Sequence, residues 1–243
     1  MTLAILVGSG ALPSATHGVT LELPALRFGV PSAPAVRVRL AGVEALVLVR
    51  HGTGHAVPPH LINYRANLEL LHVLGASRIV ALNTVGGIAP EAWTGRLVVP
   101  DQLVDYTWGR EHTFVTVGDV RHADFAEPFD GELRRRLLDA ARRVDIDADD
   151  GGVYGCTQGP RFETAAEIEM MARAGCTLVG MTGMPEAALA RELGIPYAML
   201  SLVVNPAAGR AADPFDLARI RAVLESGMRD VDRLLQTFAA AGG

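Results

Sequence analysis

Cysteine is nearly missing from the 243 residues: Cys156 and Cys176 are the only two. So few exclude a disulfide framework, and a reducing cytoplasm is the expected compartment. Each sits in apolar or Gly-rich sequence with no flanking cation, the setting of a small buried side chain rather than of a nucleophile. Basic charge is also short. Lys and Arg number 22 against 27 Asp and Glu, a net charge of −5. Nucleic-acid backbones need clustered cations, so no nucleic acid is expected as a partner. The densest basic run, Arg134-Arg135-Arg136, falls inside a helical pattern and reads as a solvated face. No apolar run approaches a membrane span, and Met1–Val7 has no basic n-region and is too short for a secretory signal. A soluble protein with no membrane partner is expected. Low-complexity spacers are missing too. With 49% apolar residues, the chain is expected to fold as a single domain over residues 1–243.

What is present is an alternation of apolar runs. Leu3 to Val7 reads as a buried strand stopped by glycine, Ala35 to Leu40 as a half-exposed strand, and Val43 to Val49 as a third strand ending at Arg50. Leu61, Tyr64, Leu68, Leu71 and Leu74 have helical spacing, and Gly75 stops them. Strands are predicted at Arg78–Leu82, Leu97–Val99, Gly152–Thr157, Thr177–Gly180 and Tyr197–Val204. Leu133, Leu137, Leu138 and Ala141 mark a helix, and Thr164-Ala165-Ala166-Glu167 has the form of a capping box opening another. Pro185 suits the first turn of a helix ending near Gly194, and a long closing helix is predicted from Pro214 to Phe238. The expected class is α/β, with a mixed, mainly parallel central sheet flanked by helices.

The polar motifs sit where strands end, which is where open α/β sheets collect ligands. Gly8-Ser9-Gly10 can bring N–H groups and a hydroxyl against an anion, or serve as a plain turn. It has neither the lysine of a Walker loop nor the glycine spacing of a dinucleotide fingerprint. Arg50-His51 follows a strand directly. Its guanidinium suits a phosphate and its imidazole can donate to the same anion; equally, the arginine can pair with a carboxylate. His51, His55 and His60 have a spacing that suggests metal ligands, but Gly52 and Gly54 break the helix that would align them, so no metal is expected. His17, His72 and His112 read as surface or packing residues, and Tyr64 as core.

Taken together, Gly8-Ser9-Gly10, Arg50-His51-Gly52, Gly159-Pro160-Arg161-Phe162-Glu163-Thr164, Met181-Thr182-Gly183-Met184-Pro185-Glu186 and Val204-Asn205-Pro206-Ala207-Ala208-Gly209 resemble the purine nucleoside phosphorylase superfamily, in its trimeric branch. The resemblance runs from Gly8 to about Asn205. It implies phosphate-dependent cleavage of an N-glycosidic bond by a homotrimer, with inorganic phosphate as co-substrate and no cofactor. Ser9, Arg50, His51, Thr84 and Thr182 would hold phosphate, Phe162 would stack on the base, and Met181 would lie under the ribose. In the relatives, Gly183 is often a Ser or Thr, and Thr84 a smaller residue.

Substrate choice follows from two departures. Methylthioadenosine phosphorylases carry a serine after the motif Phe and a pair of aspartates at the late strand end; this chain has Glu163, Asn205 and Ala207 there. Asparagine offers an N–H to O6 and a carbonyl to N7–H, and Glu163 can accept from N1–H, so a 6-oxopurine is expected, with Asn205, Glu163 and His51 as the catalytic set. At the 5′ end the usual late histidine is missing, and Phe215, Leu217 and Ile220 offer an apolar wall. His55 would line that end, and His122 would reach it from an adjacent subunit. The expected reaction is phosphorolysis of S-methyl-5′-thioinosine to hypoxanthine and 5-methylthioribose 1-phosphate. Inosine or guanosine phosphorolysis and methylthioadenosine phosphorolysis are the alternatives.

Overall fold

The computed structural model describes residues 2–10, 12–211 and 216–242. The chain runs β1 (Thr2–Val7), β2 (Val19–Thr20), β3 (Val36–Leu40), β4 (Val43–Val49), α1 (Tyr64–Val73), β5 (Ala76–Gly87), β6 (Leu97–Val99), β7 (Gln102–Asp105) and α2 (Gly131–Arg143). It continues with β8 (Ala148–Asp150), β9 (Val153–Cys156), α3 (Ala165–Arg173), β10 (Leu178–Gly180), α4 (Gly183–Glu192), β11 (Tyr197–Pro206) and α5 (Leu217–Ala240). The mixed, mainly parallel α/β sheet expected from the sequence is observed. β1 lies between parallel neighbours β4 and β5, and β11 runs parallel on the other edge of β5. Antiparallel pairing joins β3 to β4 and β10 to β5.

Alternation along β1 builds both layers of the core. Leu3, Ile5 and Val7 face one side, with Leu137 and Leu138 of α2 and Val231 and Leu235 of α5. Ala4 and Leu6 face the other, with Leu68 and Leu71 of α1 and Ala187 and Ala190 of α4. β3 is half-exposed as its pattern predicts: Val38 and Leu40 are buried, while Arg37 and Arg39 are exposed.

Several boundaries differ from the sequence pattern, each for a local reason. α1 begins at Tyr64 because the Asn63 side chain accepts from Ala66 N–H at its start. Leu61 falls instead in a short 3-10 turn and is exposed. α3 carries the expected capping box, Thr164 with Glu167. In α4, Met184 has extended φ/ψ, so regular helix starts at Pro185. Asp216 caps α5 by accepting from Ala218 and Arg219 N–H; Pro214 lies outside the described residues. β8 has an acidic sequence with no strand signal. It pairs with β6 where Arg96 binds Asp149 and Arg134 binds Asp150, charge contacts that offset poor strand propensity. Arg134 is thus not part of a solvated face: its Nε and Nη2 donate to the carbonyls of Pro100 and Val99.

One feature of the topology makes room for a ligand. β1 pairs with β5 up to Val7 opposite Leu82 and then stops. On the same sheet path, β10 takes up pairing with β5 at Gly86 and Gly87, approaching from the opposite direction. Asn83, Thr84 and Val85 therefore lie between the end of β1 and the end of β10. The loops that leave both strands, at Gly8-Ser9 and Met181-Thr182, converge over them.

Candidate functional site

A cavity of about 940 Å³ opens over this gap. Gly8, Ser9, Arg50, His51, Asn83, Thr84 and Thr182 form one part of its lining; Phe162, Glu163, Met181, Asn205 and His55 also line it. These include every expected site residue but one. His122 is exposed on the irregular segment after β7 and does not line the cavity of its own chain. Of the expected apolar wall, Leu217 and Ile220 are present, joined by Leu224; Phe215 lies outside the described residues.

Arg50 is fully buried, and its fork is turned inward rather than held open for an anion. Nε donates to Glu186 Oε1 at 2.6 Å and Nη2 to Glu186 Oε2 at 3.0 Å. Nη2 also donates to Leu6 O at 3.1 Å, and Nη1 to Leu82 O at 2.7 Å. Of the five guanidinium N–H groups, one on Nη1 is left for a ligand. Burial works to lower the Arg50 pKa, but the Glu186 carboxylate more than offsets it, and the net direction is up. Tyr197 completes the group by donating its hydroxyl to Glu186 Oε2 at 3.0 Å. The carboxylate pairing weighed for Arg50 is therefore real, but with a buried partner. Glu186 stands in the Met-Thr-x-x-Pro-Glu motif, and nothing local in the sequence links it to a position 136 residues earlier.

Gly8 makes this arrangement possible. A Cβ there would lie 2.7 Å from Arg50 Nη1. The Gly8 N–H itself is engaged, donating to Leu82 O, so the free donors of that turn begin at Ser9.

His51 is corrected in its hydrogen-bond sense. Nδ1 lies 2.8 Å from Val57 O, and a carbonyl only accepts, so Nδ1 carries the hydrogen. Burial pushes the imidazole pKa down to about 4, with Arg50 and His55 acting in the same direction. The ring is neutral at physiological pH, and its Nε2 is an acceptor rather than the anion donor expected from sequence. Its neighbour His55 packs against it with the rings tilted by 33° and their centroids 4.2 Å apart.

Thr182 is prepared as a donor. Asn83 Nδ2 donates to its Oγ1 at 3.1 Å, which leaves the hydroxyl hydrogen free to turn toward a ligand. Asn83 carries no signal of its own in the sequence, being one amide after an apolar run; the fold places it inside β5, facing Thr182. The departure at Gly183 has a packing cause. A Cβ there would lie 2.5 Å from Met199 Cε and 2.8 Å from the Tyr154 ring, so a Ser or Thr does not fit.

On the other flank, Thr157 Oγ1 donates to Glu163 Oε1 at 2.6 Å. Asn205 Nδ2 donates to Pro206 O at 2.6 Å, which leaves its second Nδ2–H and Oδ1 for a ligand. Asn205 pairs with Gly86 on β5, two to three residues beyond Asn83 and Thr84. At the rise of a strand that is roughly 7–10 Å, about the span from an anion to the edge of a base across one sugar ring. Cys156 and Cys176 are buried and free, as expected. Among the described residues, no group of three or more His, Cys, Asp or Glu could hold a metal ion.

The family model of the phosphorylase superfamily matches residues 2–240. A probable S-methyl-5′-thioinosine phosphorylase of Pseudomonas syringae pv. tomato is 46% identical over 241 residues, 98% of each chain. A 6-oxopurine nucleoside phosphorylase of Pyrococcus furiosus is 42% identical over 199 residues, 79% of this chain and 75% of that one. Among solved structures, a mutant adenosine/methylthioadenosine phosphorylase of Schistosoma mansoni in complex with methylthioadenosine superposes with a TM-score of 0.91 at 31% identity, covering 100% of this chain and 92% of the other. With a sheet that opens between β1 and β10 and a family match over almost its whole length, the chain belongs to the phosphorylase superfamily, as a pentosyltransferase of the purine nucleoside phosphorylase type.

Proposed function

We propose that the protein cleaves S-methyl-5′-thioinosine with inorganic phosphate, giving hypoxanthine and 5-methylthioribose 1-phosphate. The observation that carries the reading is one cavity holding both hydroxyl donors at the end of β1 and β10 and the Glu163–Asn205 pair. Phosphate sits over Asn83 and Thr84, taking hydrogens from Ser9, Thr84, Thr182 and the remaining Nη1–H of Arg50. His51 Nε2 accepts the hydrogen of a protonated phosphate oxygen. Glu163 accepts from N1–H of the base; Asn205 donates to O6 and, once N7 of the departing purine has taken a proton from solvent to give hypoxanthine, its Oδ1 accepts from N7–H. Phe162 covers the base, and Met181 underlies the sugar.

The chemistry follows from charge. As the C1′–N9 bond lengthens, the sugar becomes cationic and the purine anionic. Phosphate beneath C1′ stabilises the cation and then forms the new C–O bond. The Asn205 amide stabilises the charge passing into the purine ring by aimed hydrogen bonds in a site already organised. No residue is required to become covalently attached, and no cofactor enters the scheme.

Leu217, Ile220 and Leu224 support a 5′-methylthio group, because an apolar wall leaves a hydroxyl without a partner. Asp216 also lines the cavity, with its Oδ1 engaged as the α5 cap. The name of the Pseudomonas syringae relative points the same way; that of the Pyrococcus furiosus relative keeps inosine and guanosine as the second reading. The protein acts as a cytoplasmic homotrimer in which His122 reaches the cavity of the adjacent copy. Exposed Trp108, Val117 and Val120 on the same segment support that surface being covered.

The test is base release from methylthioinosine, methylthioadenosine, inosine and guanosine, with and without phosphate. Hypoxanthine release from methylthioinosine that needs phosphate and exceeds the other three is expected. Equal release in phosphate-free buffer, or none, overturns the reading.

A further inference from the structure

Glu163 is not aimed by its own backbone alone. A hydroxyl has one hydrogen, and that of Thr157 has two candidate acceptors: Glu163 Oε1 at 2.6 Å and Gly180 O at 3.3 Å. The shorter, charge-assisted bond takes it. Thr157 is itself held at both main-chain polar groups. Its N–H donates to Gly180 O at 2.8 Å, and its carbonyl accepts from Arg110 Nη2 at 3.2 Å.

Arg110 is the anchor of this arm. It comes from the irregular segment after β7, yet it is 8% exposed. Nη2 donates also to Gln158 O at 2.8 Å, and Nε to Gln158 Oε1 at 3.2 Å. Nη1 donates to Tyr64 Oη at 3.1 Å and to the Met184 carbonyl. All five guanidinium hydrogens are thus engaged, and none of these acceptors is a carboxylate. A buried cation held entirely by neutral acceptors is well placed to fix geometry, since any shift leaves a costly group unpaired. Three of its acceptors belong to Thr157 and Gln158, just before the Gly-Pro-Arg-Phe-Glu turn.

We infer that Thr157 is a positioning residue for base recognition: its hydroxyl fixes Glu163 Oε1 so that Oε2 meets N1–H of a 6-oxopurine, and Arg110 clamps the Thr157 main chain to hold that register. This rests on the reading of Glu163 as the base reader. Neither residue touches the substrate; both act through the carboxylate.

The experiment is a double-mutant cycle on kcat/KM for methylthioinosine, with KM for phosphate and thermal midpoint measured alongside. Thr157→Val and Thr157→Ala remove the hydroxyl, Thr157→Ser keeps it, and Glu163→Gln removes the charge it acts through. Loss of a hydrogen bond to a charged group predicts about a 10-fold or greater fall for Thr157→Val and Thr157→Ala. Thr157→Ser should return to within about 3-fold of the parent, and KM for phosphate should not move. In a Glu163→Gln background Thr157→Val should have no further effect, because coupled residues are not additive. Arg110→Lys should lower kcat/KM in the same sense and also lose its effect in that background. If Glu163→Gln is harmful but Thr157→Val matches the parent, or costs the same factor with and without Glu163, the inference is overturned while the base-reading stands. Should Glu163→Gln itself leave methylthioinosine turnover intact, the base-reading fails and this inference with it. An unaltered Arg110→Lys removes the clamp from the proposal.

Discussion

At the scale of single residues, hydrogen-bond sense separates what side chains can do from what their type suggests. His51 has its one hydrogen on Nδ1, facing Val57 O, and its pKa is pushed down to about 4. The sign of the linkage follows. Between about 4 and the ordinary value near 6.5 the unfolded chain binds a proton that the folded chain refuses, so stability rises with pH across that window. The contribution is complete above about 6.5 and is lost as pH falls toward 4. Thermal midpoints measured from pH 7 to pH 4 should fall, and His51→Gln should flatten the fall; an unchanged slope in the variant would show that another group titrates. Asn205 carries the second prediction at this scale. Asn205→Asp replaces the N–H offered to O6 by an acceptor, and a buried mismatch of that kind discriminates strongly. A loss of about 100-fold on methylthioinosine is expected, with a gain on methylthioadenosine; unchanged preference between the two would refute the assigned contacts.

At the scale of elements, the site depends on two strands that end short of each other and on the buried pair beneath them. Arg50 at the end of β4 and Glu186 in α4 are both fully buried. Removing one charge leaves the other uncompensated, which is strongly destabilising even where the pair itself adds little. Glu186→Gln should lower unfolding free energy by about 3 kcal/mol in urea titration. Because the freed cation faces the anion site, phosphate should restore part of the lost midpoint. If phosphate stabilises parent and variant equally, Arg50 does not meet the anion. The turn into α4 gives a second test. Gly183→Ser drives a Cβ into Met199 and Tyr154 and should cost about 1–3 kcal/mol by overpacking. Since Thr182 is the adjacent residue, KM for phosphate should rise with it; a variant with parental stability and KM would mean the neighbours give way freely.

At the scale of the whole molecule, the exposed apolar residues of the segment after β7 and the position of His122 bear on assembly. Light scattering is expected to give about three times the 25.7 kDa of one chain. His122→Ala should raise KM for the nucleoside without changing that mass. A monomer at micromolar concentration would remove His122 from the site. The sequence by itself determined the α/β class and most of the elements, though not the short strands β2, β7 and β8. Apolar runs of period two and helical stripes are local patterns, and β1, β4, α3 and β11 could be read from them to within about two residues. It also determined much of which residues gather, because Ser9, Arg50, Thr182 and Asn205 stand at or just beyond strand ends, and strand ends of one sheet meet at one edge; Thr84, inside β5, and Phe162, in the turn before α3, join them only in the fold. Only the tertiary structure decided how those groups are used. The Arg50 fork turns to Glu186, Asn83 holds Thr182, Thr157 holds Glu163, and β8 forms around two arginine contacts. The first two pair residues 136 and 99 apart in the chain, and even the six residues from Thr157 to Glu163 are brought together only by the turn between them. A hydrogen has one direction and a buried charge one partner, and both are chosen by distance in space, on which spacing along the chain is silent.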